Sequence, residues 1–477
     1  MKKISIILIS MLLCAGCTNN HLQNKKKLSK GYSKDENSAY YYEIKIQNSD
    51  SKTFEILNDN YAKDENNAYW QKHKIKQSDP GTFEALSNTH ARDKNRIYWN
   101  GFEIRRSINP VDPNTFEALN NVYAKDNNSG YFRFSSIFDS DGKTFAVLNE
   151  HYAKDKNFGY YESEKILDSS GETFEALSEE YAKDKEYGYY SGGKIEGSDG
   201  KTFEALSYNY AKDKNYAYYW SKIIEEANPK TFEVLSNFYA KDKESGYYSG
   251  EKIEGSNGET FEGLNTSYAK DKKYVYYKGK IVIDADSKTF EIFDQYIFNS
   301  FAKDKNFGYC YGKKIEGSDG ATFEILSKTY AKDKNFAYWG DKKLEGADVK
   351  TFESFNFHQN STHNDSYAKD KNFGYFEGNK IQGSDGDTFI ALNYYYAKDK
   401  NYGYHSFLDN EGLKISESHG ASFEVVSEEF ARDKNHGYYG GRLVKKSNGA
   451  TFTYLYDVYA RDKNYLYEGA EILDEDN

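Results

Sequence analysis

The stretch Tyr210-Ala211-Lys212-Asp213-Lys214-Asn215-Tyr216-Ala217-Tyr218-Tyr219 decides how this chain folds. Tyr-Ala-Lys and Ala-Tyr-Tyr are short aromatic runs that suit a pleated sheet. Asp-Lys-Asn between them is turn chemistry: the Asp side chain can cap the turn, and Asn tolerates a left-handed backbone. The segment therefore predicts a tight hairpin. Downstream, Lys222-Ile223 reads as a further short strand after a second tight turn. Asn228-Pro229 then marks a corner, like Asp79-Pro80 and Asp112-Pro113 elsewhere. Phe232-Glu233-Val234-Leu235 has Phe and Leu at helical spacing but is short for a helix. It predicts a strand after a single 3-10-like turn.

This pattern recurs from residue 31 onward. Taking the Asp of the Lys/Arg-Asp pair as marker, it appears fifteen times, from Asp35 to Asp462. Ten of the fourteen spacings are 29 residues, and the others are 33, 33, 37 and 34. Self-similarity at a fixed period marks a repeat architecture. A Tyr stands five residues after every marker, from Tyr40 to Tyr467, and a Phe follows in fourteen copies, from Phe54 to Phe452. Phased on the marker, the last copy stops before its Phe, so the array is expected to end mid-unit. Extra residues fall at 100–114 and 405–419, after the Tyr pair, and at 294–300 and 356–366, after Phe-Glu-x-Leu. None interrupts the hairpin, which marks the hairpin as packed and the other joints as surface loops.

One unit cannot stand alone. It offers about six large apolar side chains, worth roughly 1.5–3 kcal/mol each when buried. Ordering its residues costs roughly 1.5 kcal/mol apiece. Copies must therefore bury one another, with stability distributed along a line. The small column at Ala62 and its equivalents, with Ala or Gly before each Tyr pair, would let packed pieces approach closely. The expected fold is all-β, an array of about 15 short β-hairpin or meander repeats forming a solenoid or superhelix. One or two β-propellers are the alternative, although fifteen units exceed the usual 4–8 blades.

Composition is consistent with a thin aromatic core. Mean hydropathy is −0.91 and net charge −11, but Tyr 47 and Phe 31 bring aromatics to 17%. Tyrosine buries a large ring while its hydroxyl stays at a wet edge. The acidic balance disfavours nucleic acid, which needs a basic stripe. At the amino terminus, Lys2-Lys3 precede an apolar run from Ile4 to Leu13 that is roughly half of a bilayer span. Leu13-Cys14-Ala15-Gly16-Cys17 resembles a bacterial lipoprotein signal. The resemblance implies cleavage before Cys17, acylation of its thiol, and attachment to the membrane through that lipid. Cys14 departs from the pattern, standing where an aliphatic residue is usual. Residues 18–30 read as a flexible polar tether, and 31–473 as the repeat array. Thr18 after the lipid cysteine fits the outer membrane or cell surface. After processing only Cys17 and Cys310 remain, so no intrachain disulfide is expected.

The repeat resembles the DKNYY family of bacterial envelope and surface proteins. The name motif stands here as Asp213-Lys214-Asn215-Tyr216-Ala217-Tyr218-Tyr219, with looser forms in the other copies. The likeness covers roughly residues 31–470. It carries no defined activity onto any residue.

Site candidates are few. Fifteen carboxylates in register, with Asp139-Ser140-Asp141-Gly142, suggest calcium, but no copy has the closing bidentate Glu among six to eight oxygens. Turn capping explains the Asp better. Trp70, Trp99, Trp220 and Trp339, with the second Tyr of each pair, could form a ladder that stacks sugar rings. Aromatic stripes are more often core. His358 and His363 lack metal-ligand spacing, and His90, His405 and Cys310 occupy aromatic slots. No metalloprotease, phosphate-loop or nucleophile-elbow motif occurs. The expectation is a non-catalytic envelope lipoprotein without cofactor or metal. It would present a repeated surface for binding or scaffolding to an unknown protein or glycan partner. A glycan-binding, lectin-like role comes second. An enzyme with its site in insertion 356–366 or 405–419 is a remote third.

Overall fold

The structure, a computed structural model, describes residues 26–27, 31–42, 44–104, 111–292, 301–355, 366–406 and 413–473. The signal segment, Cys17, most of the tether, residues 294–300 and 356–365, and parts of the insertions at 100–114 and 405–419 lie outside the described residues.

Among the described residues the chain forms fifteen four-stranded antiparallel sheets, each an up-and-down meander. It is all-β, as the repeat predicts. In one sheet the strands are Glu175–Ala176, Tyr181–Lys183, Gly188–Tyr190 and Gly193–Lys194. Register pairs Ala176 with Ala182, Tyr181 with Tyr190 and Tyr189 with Lys194. The first strand comes from Phe-Glu-x, and three copies show a 3-10 turn just before it, such as Gly258–Thr260. Each sheet is thus phased from Thr-Phe-Glu, with the Asp hairpin at its centre.

That phasing corrects two expectations. The array does not end mid-unit: Thr453–Tyr456 supplies the first strand of a complete last sheet ending at Glu471–Ile472. The first sheet lacks a Phe-Glu-x, and Lys26–Lys27, assigned to the tether from sequence, pairs with Tyr32–Lys34 in its place. An edge with unpaired N–H and C=O groups takes whatever strand is adjacent. The left-handed residues also differ from expectation. The Asn of Asp-Lys-Asn is not among them; they sit in the corner after the fourth strand, as at Asp139 (φ 59°), and in the turn between the third and fourth strands, as at Ser191 (φ 46°) and Gly192 (φ 76°). A two-residue turn with both φ positive matches strand twist.

The chain divides into two compact units, residues 1–223 and 224–477. Seven sheets fall in the first and eight in the second. Within each unit the core lies between sheets, not inside them. Successive strand residues point to opposite faces. Ala182 joins Tyr152, Ile166, Phe174 and Tyr189 on one side, whereas Tyr181 joins Ile195, Phe203, Ala211 and Tyr218 on the other. Small faces large across the joints within each unit. The ring of Phe174 is seated between Tyr152 and Tyr189, at 5.9 and 5.5 Å. Gly159 explains the small residue before the Tyr pair: a Cβ there would come 2.6 Å from the Phe174 ring. Ala217, Val275 and Ile97 hold that position elsewhere, so the ring can yield.

Candidate functional site

The marker Asp is the hub of each copy. Asp184 is buried, and four donors converge on it. Its Oδ1 accepts from the amides of Glu186 and Tyr187, both at 2.8 Å. Its Oδ2 accepts from the Ser170 amide at 2.8 Å and the Tyr189 hydroxyl at 2.9 Å. One carboxylate therefore caps its own turn, anchors the next strand and holds the corner fourteen residues upstream. The same set surrounds Asp126, Asp304 and Asp399. This is the turn-capping role predicted for the ladder, and it occupies the oxygens that a calcium ion would need.

A second row joins copies. The Tyr152 hydroxyl donates to the Glu180 carbonyl at 2.6 Å and accepts from the Gly192 amide at 3.3 Å, both in the following sheet. Beside it runs the second aromatic of each pair. Tyr161 meets Tyr152 edge-on at 5.0 Å, and its Cβ lies against Gly192.

Trp70, Trp99 and Trp339 occupy this second-aromatic position and are half-buried. The Trp70 stem packs on Gly101 and the Trp339 stem on Gly378, both in the following sheets. The Trp99 indole donates to the Asn121 carbonyl at 3.1 Å. Trp220 stands one residue later, in the left-handed turn (φ 55°), and is 46% exposed. The four tryptophans therefore do not form one column. Trp220 stacks on Tyr219 at 4.9 Å and donates to the Asn209 side chain at 3.2 Å. Its amide donates to the Asn209 carbonyl at 2.7 Å, which places it beside Tyr208, 54% exposed. The Tyr208 hydroxyl donates to Glu180 Oε1 at 3.1 Å, and that bond first of all pushes its phenol up. The hydroxyls of Ser191 and Tyr161 reach the other oxygen of Glu180. Glu180 thus accepts from hydroxyls of three consecutive sheets, those of Tyr161, Ser191 and the exposed Tyr208.

The same position carries Glu429 near the carboxyl terminus. It lines a cleft of about 820 Å³ together with Tyr395, His405, Tyr439, Arg442 and Glu468. His405 takes the aromatic slot, as expected, stacking on Tyr395 at 6.0 Å and 10°. Burial holds His405 and His90 down at about 4, so both rings are neutral near pH 7. Burial pushes the Cys310 thiol up to about 12, with Asp341 adding to it, so the thiol is protonated. Sequence reasoning missed Glu180, Tyr208 and the cleft. Their visible signal was the doublet Ser-Glu-Glu before an aromatic, at 178–180 and 427–429. His358 and His363 lie outside the described residues.

Fold and site together define a tandem-repeat protein of four-stranded sheets, built on one Asp–Tyr network. The DKNYY family model matches residues 4–102, 100–164, 181–310, 216–342, 301–363 and 337–471, and the chain belongs to the DKNYY family. No curated protein and no solved structure matches it.

Proposed function

We propose that this chain is a non-catalytic envelope lipoprotein, anchored through Cys17 at the outer membrane or cell surface. It would present a repeated edge for binding or scaffolding. The anchor rests on the signal pattern at residues 2–17. The binding role rests on one observation: ten of the fifteen sheets offer the same edge, a half-buried aromatic next to a variable polar residue. Many equivalent weak contacts on one chain raise avidity without any strong single site. An array of interchangeable copies does not supply the exceptional constellation that catalysis needs, and its net charge of −11 opposes nucleic acid.

Glycan binding is the second reading, favoured by the exposed rings of Tyr208, which bonds to Glu180, and of Trp220. Exposed rings stack on sugar faces and a carboxylate accepts from hydroxyls. One experiment addresses both readings. Chain 18–477 is immobilised as bait for native envelopes, beside a chain lacking the four insertions and a Tyr208→Ala/Trp220→Ala chain. Capture that survives loop deletion supports a distributed surface. Polysaccharide lost with the double substitution supports the lectin-like reading. Capture abolished by loop deletion alone overturns both. In cells, Cys17→Ser is expected to move the protein out of the membrane pellet; its retention there contradicts lipid anchoring.

A further inference from the structure

Cys310 stands where Tyr248 and Tyr277 stand in the two preceding copies and Trp339 in the next. In those earlier copies the ring fills the joint, meeting Tyr239 or Tyr268 of its own sheet at 4.9 Å. Cys310 pairs with Phe301 in the same register but brings no ring. A cavity of about 220 Å³ lies there, lined by Cys310, Lys313, Lys328, Thr329, Trp339 and Asp341. Tyr161 shows what the space is shaped for. Its hydroxyl is 3.5 Å from Glu180, and its stem abuts Gly192. By repeat position Thr329 corresponds to Glu180 and Asp341 to Gly192. Both line the cavity at Cys310. The void is therefore the space of the missing ring, with polar groups where a phenol hydroxyl would point. One wall is Trp339, whose indole Nε1 is buried without an acceptor among the described residues.

We propose that this vacancy is a binding site for a single aromatic ring bearing a hydroxyl, the chemical class of monocyclic phenols. The ring packs towards Phe301, as the Tyr248 and Tyr277 rings pack on Tyr239 and Tyr268, with Trp339 as a wall and the hydroxyl facing Thr329 and Asp341. Size supports this: engineered cavities of about 150 Å³ already take up benzene. Shape supports a flat ring over a branched ligand, because Tyr, Trp, Phe or His stands at this position in every other copy except the last, which has Glu468. Lys313 and Lys328 at the rim tolerate an additional anionic substituent.

The probe is p-cresol, the tyrosine side chain as a free molecule, added to the full chain. Saturable binding is expected, weak for so few atoms, with a dissociation constant on the order of 0.1–1 mM. Cys310→Tyr, which supplies the ring covalently, is expected to weaken it at least ~10-fold. Stronger binding of N-acetyltyrosinamide than of p-cresol assigns the natural ring to a peptide's tyrosine; the reverse assigns it to a free phenol. Should Cys310→Tyr fail to fold, the wild-type chain still decides. Saturating p-cresol must slow alkylation of Cys310, followed on its own peptide by mass spectrometry. Absence of saturable binding, binding unchanged in Cys310→Tyr, or alkylation indifferent to p-cresol overturns the proposal.

Discussion

Raised above pH ~10, the array is expected to unfold abruptly. The second-strand tyrosines Tyr152, Tyr181, Tyr239, Tyr268 and Tyr330 are 0% exposed, and burial drives each phenol well above its ordinary value. The third-strand tyrosines Tyr160 and Tyr309 move the same way, by burial and then by donation to a carboxylate. A group whose folded pKa is raised contributes stability that is fully present below the unfolded value and lost as pH climbs toward the folded one. Each such phenol therefore withdraws about 1.4 kcal/mol per pH unit above ~10. A handful within one unit exceeds the ~5–15 kcal/mol of a typical domain within a unit or two of pH. Tyrosinate absorbance should rise in one steep step together with loss of β-sheet circular dichroism. A gradual rise centred near ~10, with the sheet signal intact, would contradict the buried rows.

The acid side is governed by the hubs. Burial pushes Asp242, Asp271 and Asp433 up, but amide and phenol donors outweigh it and leave each below the ordinary carboxylate range. Their contribution is present above ~3.9 and lost as pH falls through the folded values. Stability should thus span a plateau between those limits.

Asp184→Ala, like the same change at the equivalent Asp of other copies, is expected to produce the largest effect among single polar substitutions. It leaves the amides of Glu186, Tyr187 and Ser170 and the Tyr189 hydroxyl without their acceptor. A buried donor left unsatisfied costs about 1–3 kcal/mol. The turn amides regain some water, so the total should be roughly 3–5 kcal/mol. Asp184→Asn keeps one acceptor oxygen and should cost about a third as much. Because each core is shared between adjacent sheets, the loss should concentrate in nearby copies. Hydrogen exchange resolves it: faster exchange is expected for residues 152–220, with distant sheets unchanged. A loss under about 1 kcal/mol would show that the donors find other partners.

Much of this was legible in the sequence, for a definite reason. The Asp-x-x-x-x-Tyr spacing, from Asp184 to Tyr189, is a local geometry that one hairpin satisfies by itself. The buried Ala column and the turn-capping role follow from the same short range. The phase of the sheet was not legible, because a repeat has no intrinsic beginning. Only the partner of Tyr181–Lys183, on the Thr-Phe-Glu side, defines where a sheet starts. The alternation of Tyr181 and Ala182 between two cores was hidden likewise, since it depends on contacts across copies. Trp220 was grouped with the other tryptophans by residue type, although Tyr218-Tyr219-Trp220 places it one step beyond their position. The Cys310 substitution was visible, but the void it leaves depends on Thr329 and Asp341 of the following sheet.

Residues 170–198 contain one complete sheet, and residues 141–223 contain three with the two joints between them. Urea unfolding of these two fragments, followed by circular dichroism and tyrosine fluorescence, tests most directly whether copies complete one another's cores. The short fragment should show no cooperative transition and tyrosines that titrate near ~10. The long one should unfold cooperatively, with its middle sheet the most protected. A cooperative transition in the short fragment, at the midpoint of the long one, would mean that each sheet carries its own core.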